Sequence, residues 1–461
     1  MKRISFPMAL TVIALLMSWM LFSIIVLKVE PHMPLLAGIV GTGLLGLALG
    51  IKWDVIEKGL LDSITTGLKP ILILFIVGMM IAVWMQSGTV PTLLYGGLQF
   101  IKPEWFLISA LVVTIIVSSF TGSSFTTIGT IGVAMMGIGS AMGISPALAA
   151  GAVISGACFG DKMSPLSDTT NFAPAVAKVD LFTHIRHMMN TTIPAIIVTI
   201  IFFLMMSKQL PASVNPEDMQ QAISVLESEF HLSLWTLIPP IIVVVLAVRR
   251  VPVLLTLFTG LFAGIIVAML TQGVTSATSI LTTMQSGFVS ETSSELVNGI
   301  VNRGGLQSMM WSVSLIILAL ALGGVLQVMG IIQTLMSGLT KLLNRRGHLI
   351  SATAGSSIGV NLLTGEQYLS ILLPGQTFEP FYDQAGVERK YLSRTLEDAG
   401  TLVNPLIPWG VSGAFFAETL GVSVMSYLPF AIFLWLSPIF TIIIGYWYDI
   451  KYRNTSRAQN G

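Results

Sequence analysis

Gly156-Ala157-Cys158-Phe159-Gly160-Asp161-Lys162-Met163-Ser164-Pro165-Leu166-Ser167-Asp168-Thr169-Thr170-Asn171 is the stretch on which the fold turns. Two glycines and a proline interrupt an apolar segment there. Two acids, one lysine and five hydroxyl or amide side chains crowd the interruption. The apolar run before it, 146–158, is too short to cross a bilayer, which takes about 20 residues. Apolar character resumes over 172–177 before Lys178. The pattern predicts a helix broken at membrane depth. Such a break is stable only where protein or a water-filled cavity solvates the freed backbone groups. Ionisable residues placed there are costly and are functional candidates by default.

The rest of the chain fits a membrane setting. It has 461 residues, of which 54% are hydrophobic and 10% charged, with a mean hydropathy of +0.84. A soluble domain carries about 25% charged residues. The net charge of +1 and the short basic clusters at segment ends give no case for nucleic acid. One cysteine, Cys158, excludes an internal disulfide framework. No Cys/His pattern points to a resident metal, and no cofactor is expected. No HExxH and no Ser/His constellation at membrane depth argues for an enzyme. Met1-Lys2-Arg3 and the apolar run Pro7 to Leu27 resemble a signal peptide. The run is too long for one and is read as the first span.

Apolar runs mark spans at 7–28, 34–51, 70–86, 190–207, 234–248, 253–270, 311–329 and 426–447. Two further crossings, 146–178 and 391–420, are broken by polar segments. Two stretches, about 105–141 and 348–373, read as re-entrant helical hairpins. The expected fold is an all-α polytopic membrane protein with about ten transmembrane helices and two re-entrant hairpins. With the N-terminus placed in the cytoplasm, 18 of the 23 Lys and Arg residues fall on the inside, four outside, and Lys162 at membrane depth. That bias is the positive-inside pattern and puts both termini in the cytoplasm.

The halves echo each other. Thr121-Gly122 recurs as Thr364-Gly365, Ser164-Pro165-Leu166 as Asn404-Pro405-Leu406, and Pro194 as Pro438, at shifts of 243, 240 and 244 residues. Each half has five crossings, so the second copy is inverted relative to the first, an arrangement of many secondary transporters. The expected division is a first repeat at 1–207, an extracellular connector at 208–233, a second repeat at 234–450 and a cytoplasmic tail at 451–461.

Besides the opening stretch, three interruptions carry polar chemistry. Ser118 to Thr127, at the turn of the first hairpin, is rich in hydroxyls and uncharged. Hard cations take oxygen ligands, and helix ends expose free carbonyls. Asn361 to Gln367, at the second turn, contains Glu366. Glu397 to Gly410 contains Asp398, Asn404, two prolines and two glycines. For Glu397 and Asp398, an ion pair with Arg394 at the cytoplasmic surface competes with a buried role. Asp161 could hold a sodium ion or a proton in turn. Competition for one carboxylate is enough to couple the two ions. Lys162 is the expected charge partner, either of a neighbouring carboxylate or as a tethered cation in the empty site. The five histidines, His32, His184, His187, His231 and His348, all fall in expected connectors.

The motif from Gly160 to Asn171, with the hydroxyl-rich segment Thr121 to Thr127, resembles the NhaC family of sodium/proton antiporters within the ion transporter superfamily. The resemblance covers essentially the whole chain. It implies a prokaryotic plasma membrane, sodium efflux driven by proton entry, and a transport domain moving against a scaffold. The superfamily plan, two hairpin tips meeting two unwound helices, implies Ser123, Ser124, Asp161, Ser164, Asp168, Thr170, Asn171, Asn361, Thr364, Glu366, Asp398 and Asn404 as residues lining the Na+ site. The implied partners are Na+, H+ and Li+ in the bilayer, and relatives suggest a homodimer. The family also includes sodium-coupled malate/lactate exchangers, the alternative reading. A dicarboxylate needs positive partners, and Lys162 is the one basic residue expected at membrane depth.

Overall fold

The computed structural model describes residues 4–209, 216–339 and 345–459. Every regular element among them is helical. Helices α1 (Phe6–Leu21), α2 (His32–Ala48), α3 (Trp53–Thr66), α4 (Leu68–Gln86) and α5 (Thr89–Phe100) come first. A helix–turn–helix follows: α6 (Phe106–Thr121) and, beyond the turn, α7 (Ser124–Thr127), which runs through a π-helical turn into α8 (Val133–Ala141). The broken helix is α9 (Pro146–Met163) and α10 (Asp168–Ala177). Then come α11 (Leu181–Gln209) and α12 (Pro216–Glu229). The later part holds α13 (Ile238–Val248), α14 (Val253–Thr271), α15 (Ala277–Ser286), α16 (Glu295–Val301), α17 (Met310–Val328) and α18 (Ile331–Leu339). A second helix–turn–helix pairs α19 (Arg346–Thr364) with α20 (Gln367–Gln384). The second break lies between α21 (Arg389–Leu396) and α22 (Val411–Leu420), and α23 (Val424–Tyr427) and α24 (Ile432–Gln459) close the chain.

Eight helices among the described residues are long and apolar enough to cross a bilayer, or up to ten when two sharply bent pairs each count as one span. Their outer faces carry exposed apolar stripes. On α11, Ile193, Ile197, Ile201 and Met205 repeat every fourth residue. On α14, Leu255, Phe258, Phe262, Ile266 and Met269 do the same at helical spacing. Water would not tolerate so much contiguous apolar surface. The chain is a multi-pass membrane protein.

Expected spans and observed helices differ at their ends. The span expected at 34–51 is the shorter α2, and that at 190–207 is the second part of the 29-residue α11. The span at 234–248 opens with a 3-10 turn and forms a 95° bend with Met219–Glu229. The connectors are helical too, in α12, α15 and α16; residues 210–215 lie outside the described residues. The tail expected from 451 continues α24 to Gln459. Both arms of each helix–turn–helix have 18 or 19 residues, counting the short helix at Pro103–Trp105 with α6. At 1.5 Å per residue an arm spans roughly 27 Å, as long as a full crossing.

Gly156 and Gly160 do not break α9, contrary to expectation. They sit four residues apart on one face of an unbroken helix that packs closely against α6. A Cβ at Gly156 would come within 2.4 Å of the Leu111 carbonyl oxygen, and one at Gly160 within 2.5 Å of that of Ile115. Small residues at this spacing let membrane helices approach backbone to backbone. The break comes later, at Ser164-Pro165, where proline lacks the N–H that a continued helix would use.

Candidate functional site

The two turns have the same backbone device. Gly122 ends α6 with φ +63° and Gly365 ends α19 with φ +66°, the left-handed region that favours glycine. The next residue then caps the following helix. Ser123 accepts from the Thr126 N–H at 3.1 Å, and Glu366 accepts from the Leu369 N–H at 2.7 Å.

At the first turn the donors converge on an acid. The backbone N–H and the hydroxyl of Ser124 both donate to one oxygen of Asp161, Oδ2, at 2.9 and 2.7 Å. Ser118 donates to the Ala157 carbonyl at 2.6 Å and Ser164 to the Ser119 carbonyl at 2.8 Å, fastening α6 to α9 and to the break. Ser167 caps α10 by accepting from the Thr170 N–H, and the Thr170 hydroxyl donates to the Lys162 carbonyl at 3.0 Å. Asn171 is exposed and donates back to the Pro165 and Ser167 carbonyls.

At the second turn amides replace the acid. Asn361 donates to the Gly400 carbonyl. Asn404 donates to the Asn361 side-chain oxygen at 3.0 Å and to the Gly365 carbonyl at 2.9 Å, and accepts from the Ser412 N–H at 2.7 Å. Thr364 donates to the Val360 carbonyl at 2.8 Å. Asn361, Thr364 and Asn404 are fully buried and occupied with holding this turn against the second break.

A cavity of about 860 Å³ lies where these pieces meet. The first turn, the α9–α10 break, Glu366 and Tyr368 from the second turn, the start of α4 and the α13–α14 corner all line it. Of the residues expected to line a site, Ser123, Asp161, Asp168, Asn171 and Glu366 face this cavity. Ser124 stands behind Asp161 as its donor. Ser164, Thr170, Asn361, Thr364, Asp398 and Asn404 are not in the lining. Asp161 is half-buried and Glu366 is buried, whereas Asp168 is exposed and pairs with Lys69 at 3.0 Å. Lys69 and Arg250, both exposed, stand at the rim.

Lys162 does not face the cavity. It is 1% exposed and paired with Asp398, which also accepts from Thr441. Arg394, Glu397 and Asp398 are all fully buried, so the surface ion pair considered for them is not what forms. Arg394 Nε stands 4.0 Å from Asp398 Oδ2. This also places an arginine in the interior, where none was expected. His184 and His187 are buried on α11 rather than in a connector; His184 meets Ser393 at 2.7 Å and His187 meets Arg394 at 3.3 Å. The α21 turn carrying these groups continues as a π-helical turn, Glu397–Thr401, a distortion often found at functional sites. The lysine's partner lies 236 residues away, and no local signal pointed to it. Lys69, Arg250, Tyr368 and Thr169 also line the cavity, and Glu397 lies behind Thr169; none of the five was among the expected site residues. For Glu397 the signal was present, an acid beside Asp398 in the broken segment.

The sequence pattern of the Na+/H+ antiporter family matches residues 156–447. The chain is 58% identical over 445 residues to the Na+/H+ antiporter NhaC of Alkalihalophilus pseudofirmus, covering 96% of both chains. It is 46% identical to the Na+/H+ antiporter NhaC of Bacillus subtilis, covering 96% of this chain and 98% of the relative. It is 37% identical over 425 residues to the malate-2H+/Na+-lactate antiporter of Bacillus subtilis, covering 90% of each.

Proposed function

The chain belongs to the Na+/H+ antiporter family, and from that premise we propose that it exchanges sodium ions for protons across a prokaryotic plasma membrane by alternating access, with Asp161 as the carboxylate the sodium ion occupies. One observation carries the choice of residue. Both acids of the first break line the cavity, but Asp168 is exposed and paired with Lys69, whereas Asp161 is half-buried and fixed by two donors from one residue of the facing turn.

Both Ser124 bonds fall on Oδ2, and the Ser167 hydroxyl is a further neighbour of the same carboxylate. The hydroxyls and carbonyls of the first turn supply further hard oxygen donors, which suit Na+ and Li+ alike. Glu366, across the cavity, and the exposed Asp168 are further acids in the same lining. In the orientation set by the positive-inside bias, with both termini inside, the Lys69 and Arg250 rim faces the cytoplasm. The cavity is then the inward-facing half of the cycle. The two helix–turn–helix units act as an inverted pair whose tips close on the ion from opposite sides.

Asp161→Asn should abolish Na+-driven proton movement in everted membrane vesicles while the protein still inserts at the wild-type level. Exchange at the wild-type rate in that variant would remove Asp161 from the mechanism.

Exchange of a dicarboxylate is the second reading. It is favoured by a cavity larger than a bare ion needs and by Lys69 and Arg250 in its lining. Uptake of radiolabelled malate into vesicles separates the two: accumulation above background supports the anion, and none supports the cation exchange alone.

A further inference from the structure

Glu397 is a buried acid that the cation site does not use. Its side chain is fully buried, and it does not line the cavity. Both neighbouring cations turn toward Asp398 instead: Lys162 is paired with it, and Arg394 Nε lies 4.0 Å from it. Among the described residues no Lys, Arg or His comes within ion-pair distance of Glu397. One of its oxygens, Oε1, accepts from the Thr169 hydroxyl at 3.1 Å. The other, Oε2, has no hydrogen-bond partner among the described residues. A carboxylate left ionised in such a place carries the cost of a buried charge with no direct ion pair. A carboxyl that keeps its proton does not.

Thr169 leads back to the cavity. It lines the cavity wall, and its hydroxyl stands 3.2 Å from that of Ser167, which also lines it. Ser167, Thr169 and Glu397 therefore form one line of hydrogen-bonding groups from the cavity to the buried acid. If Thr169 donates to Glu397, it is free to accept from Ser167. The charged and titratable groups around Glu397 are Lys162 and Asp161 on α9, Asp398 on its own turn and Tyr368 on α20. Asp161 is thus near enough for its charge, bare or neutralised by a cation, to act on Glu397.

We propose that Glu397 is the proton-holding acid of the exchange, reached from the cavity through Ser167 and Thr169, loaded when the cation seat at Asp161 is empty and unloaded when it is filled. This rests on the sodium/proton reading and deepens it, because it gives the proton a seat of its own. The step is a simple protonation. A carboxylate oxygen takes one proton from cavity water through the hydroxyls and later returns it, and no other bond changes.

The test uses the full-length protein in proteoliposomes with two assays on each variant. One is exchange of radioactive Na+ against Na+ at equal pH on both sides, and the other is dye-monitored proton flux driven by a Na+ gradient. Glu397→Gln should keep Na+/Na+ exchange and lose Na+-driven proton flux. Thr169→Val should slow proton flux while Na+/Na+ exchange stays as in wild type. Proton flux at the wild-type rate in Glu397→Gln would overturn the proposal and leave both ions competing at Asp161. Joint loss of both activities would also overturn it, since Glu397 would then serve the cation seat or the fold. Absence of both fluxes in the wild-type protein is a different result, and it would strike the sodium/proton reading itself.

Discussion

The two turns share a backbone and differ in what their polar groups hold. At the first, Gly122 and Ser123 set the geometry and Ser124 points its donors at Asp161, a carboxylate facing the cavity. At the second, Gly365 and Glu366 repeat the geometry, but Asn361 and Asn404 bond to each other and to backbone. Two neutral amides there do the holding; the turn's own acid, Glu366, caps the following helix at the cavity wall, and Glu397 and Asp398 of the facing break lie deeper. The difference teaches where charge can be moved. A carboxylate beside water can exchange its cation, whereas amides locked to carbonyls make a rigid wall. The first turn aims its donors at the ion's carboxylate, whereas the second spends its amides on fixing itself and offers the cavity Glu366 alone among its acids.

The largest effect should come from the buried pair behind both turns. Lys162→Ala leaves Asp398 buried with the Thr441 hydroxyl and with Arg394 at 4.0 Å as its remaining partners, and breaking such a pair costs about 3–5 kcal/mol. The melting temperature of detergent-purified protein should fall steeply. The double change Lys162→Met with Asp398→Leu should recover much of that loss, because a well-packed apolar pair is often as stable as a buried ionic one. A single variant that melts like wild type would mean the pair adds nothing to the fold.

Next comes Asn404→Ala. It strands the Ser412 N–H and takes a donor from the Asn361 side chain, while the Gly365 carbonyl keeps the Val411 N–H, so the loss should be about 1–3 kcal/mol. Its counterpart at the first turn, Ser124→Ala, removes one donor from Asp161 but keeps the backbone N–H. That change should cost about 1 kcal/mol in stability and act mainly on Na+ dependence, raising the Na+ concentration needed for half-maximal exchange. Thermal melts and exchange assays on the two variants together sharpen the contrast. If Asn404→Ala altered Na+ dependence and Ser124→Ala altered only stability, the roles assigned to the turns would be reversed.

The smallest effect is at the rim. Lys69 and Asp168 are both more than half exposed, so their pair is worth about 0–1 kcal/mol and weakens with salt. Lys69→Gln should leave melting nearly unchanged at high ionic strength. A salt-independent loss of stability would show that the pair is more than a surface contact.

Much of this was legible because backbone chemistry writes itself into residue types. Ser164-Pro165 and Asn404-Pro405 mark real breaks, since proline cannot donate and a neighbouring Ser or Asn offers a substitute partner. Thr-Gly at 121–122 and 364–365 marks both turns, since each glycine has a positive φ. Gly156 and Gly160 misled, because a glycine reads the same whether it breaks a helix or lets another come close. Their four-residue spacing was the clue to packing. The partner of Lys162 was hidden by sequence distance, and the burial of His184, His187 and Arg394 by their place near basic, polar segment ends. Such segments look like surface until α11, α21 and α24 are seen to pack together.

Sodium binding to the purified protein, followed by isothermal titration calorimetry in wild type and Asp161→Asn, tests the central claim most directly. The account predicts saturable Na+ binding in wild type and none in the variant, with both proteins folded by thermal melt. Undiminished Na+ affinity in Asp161→Asn would contradict it.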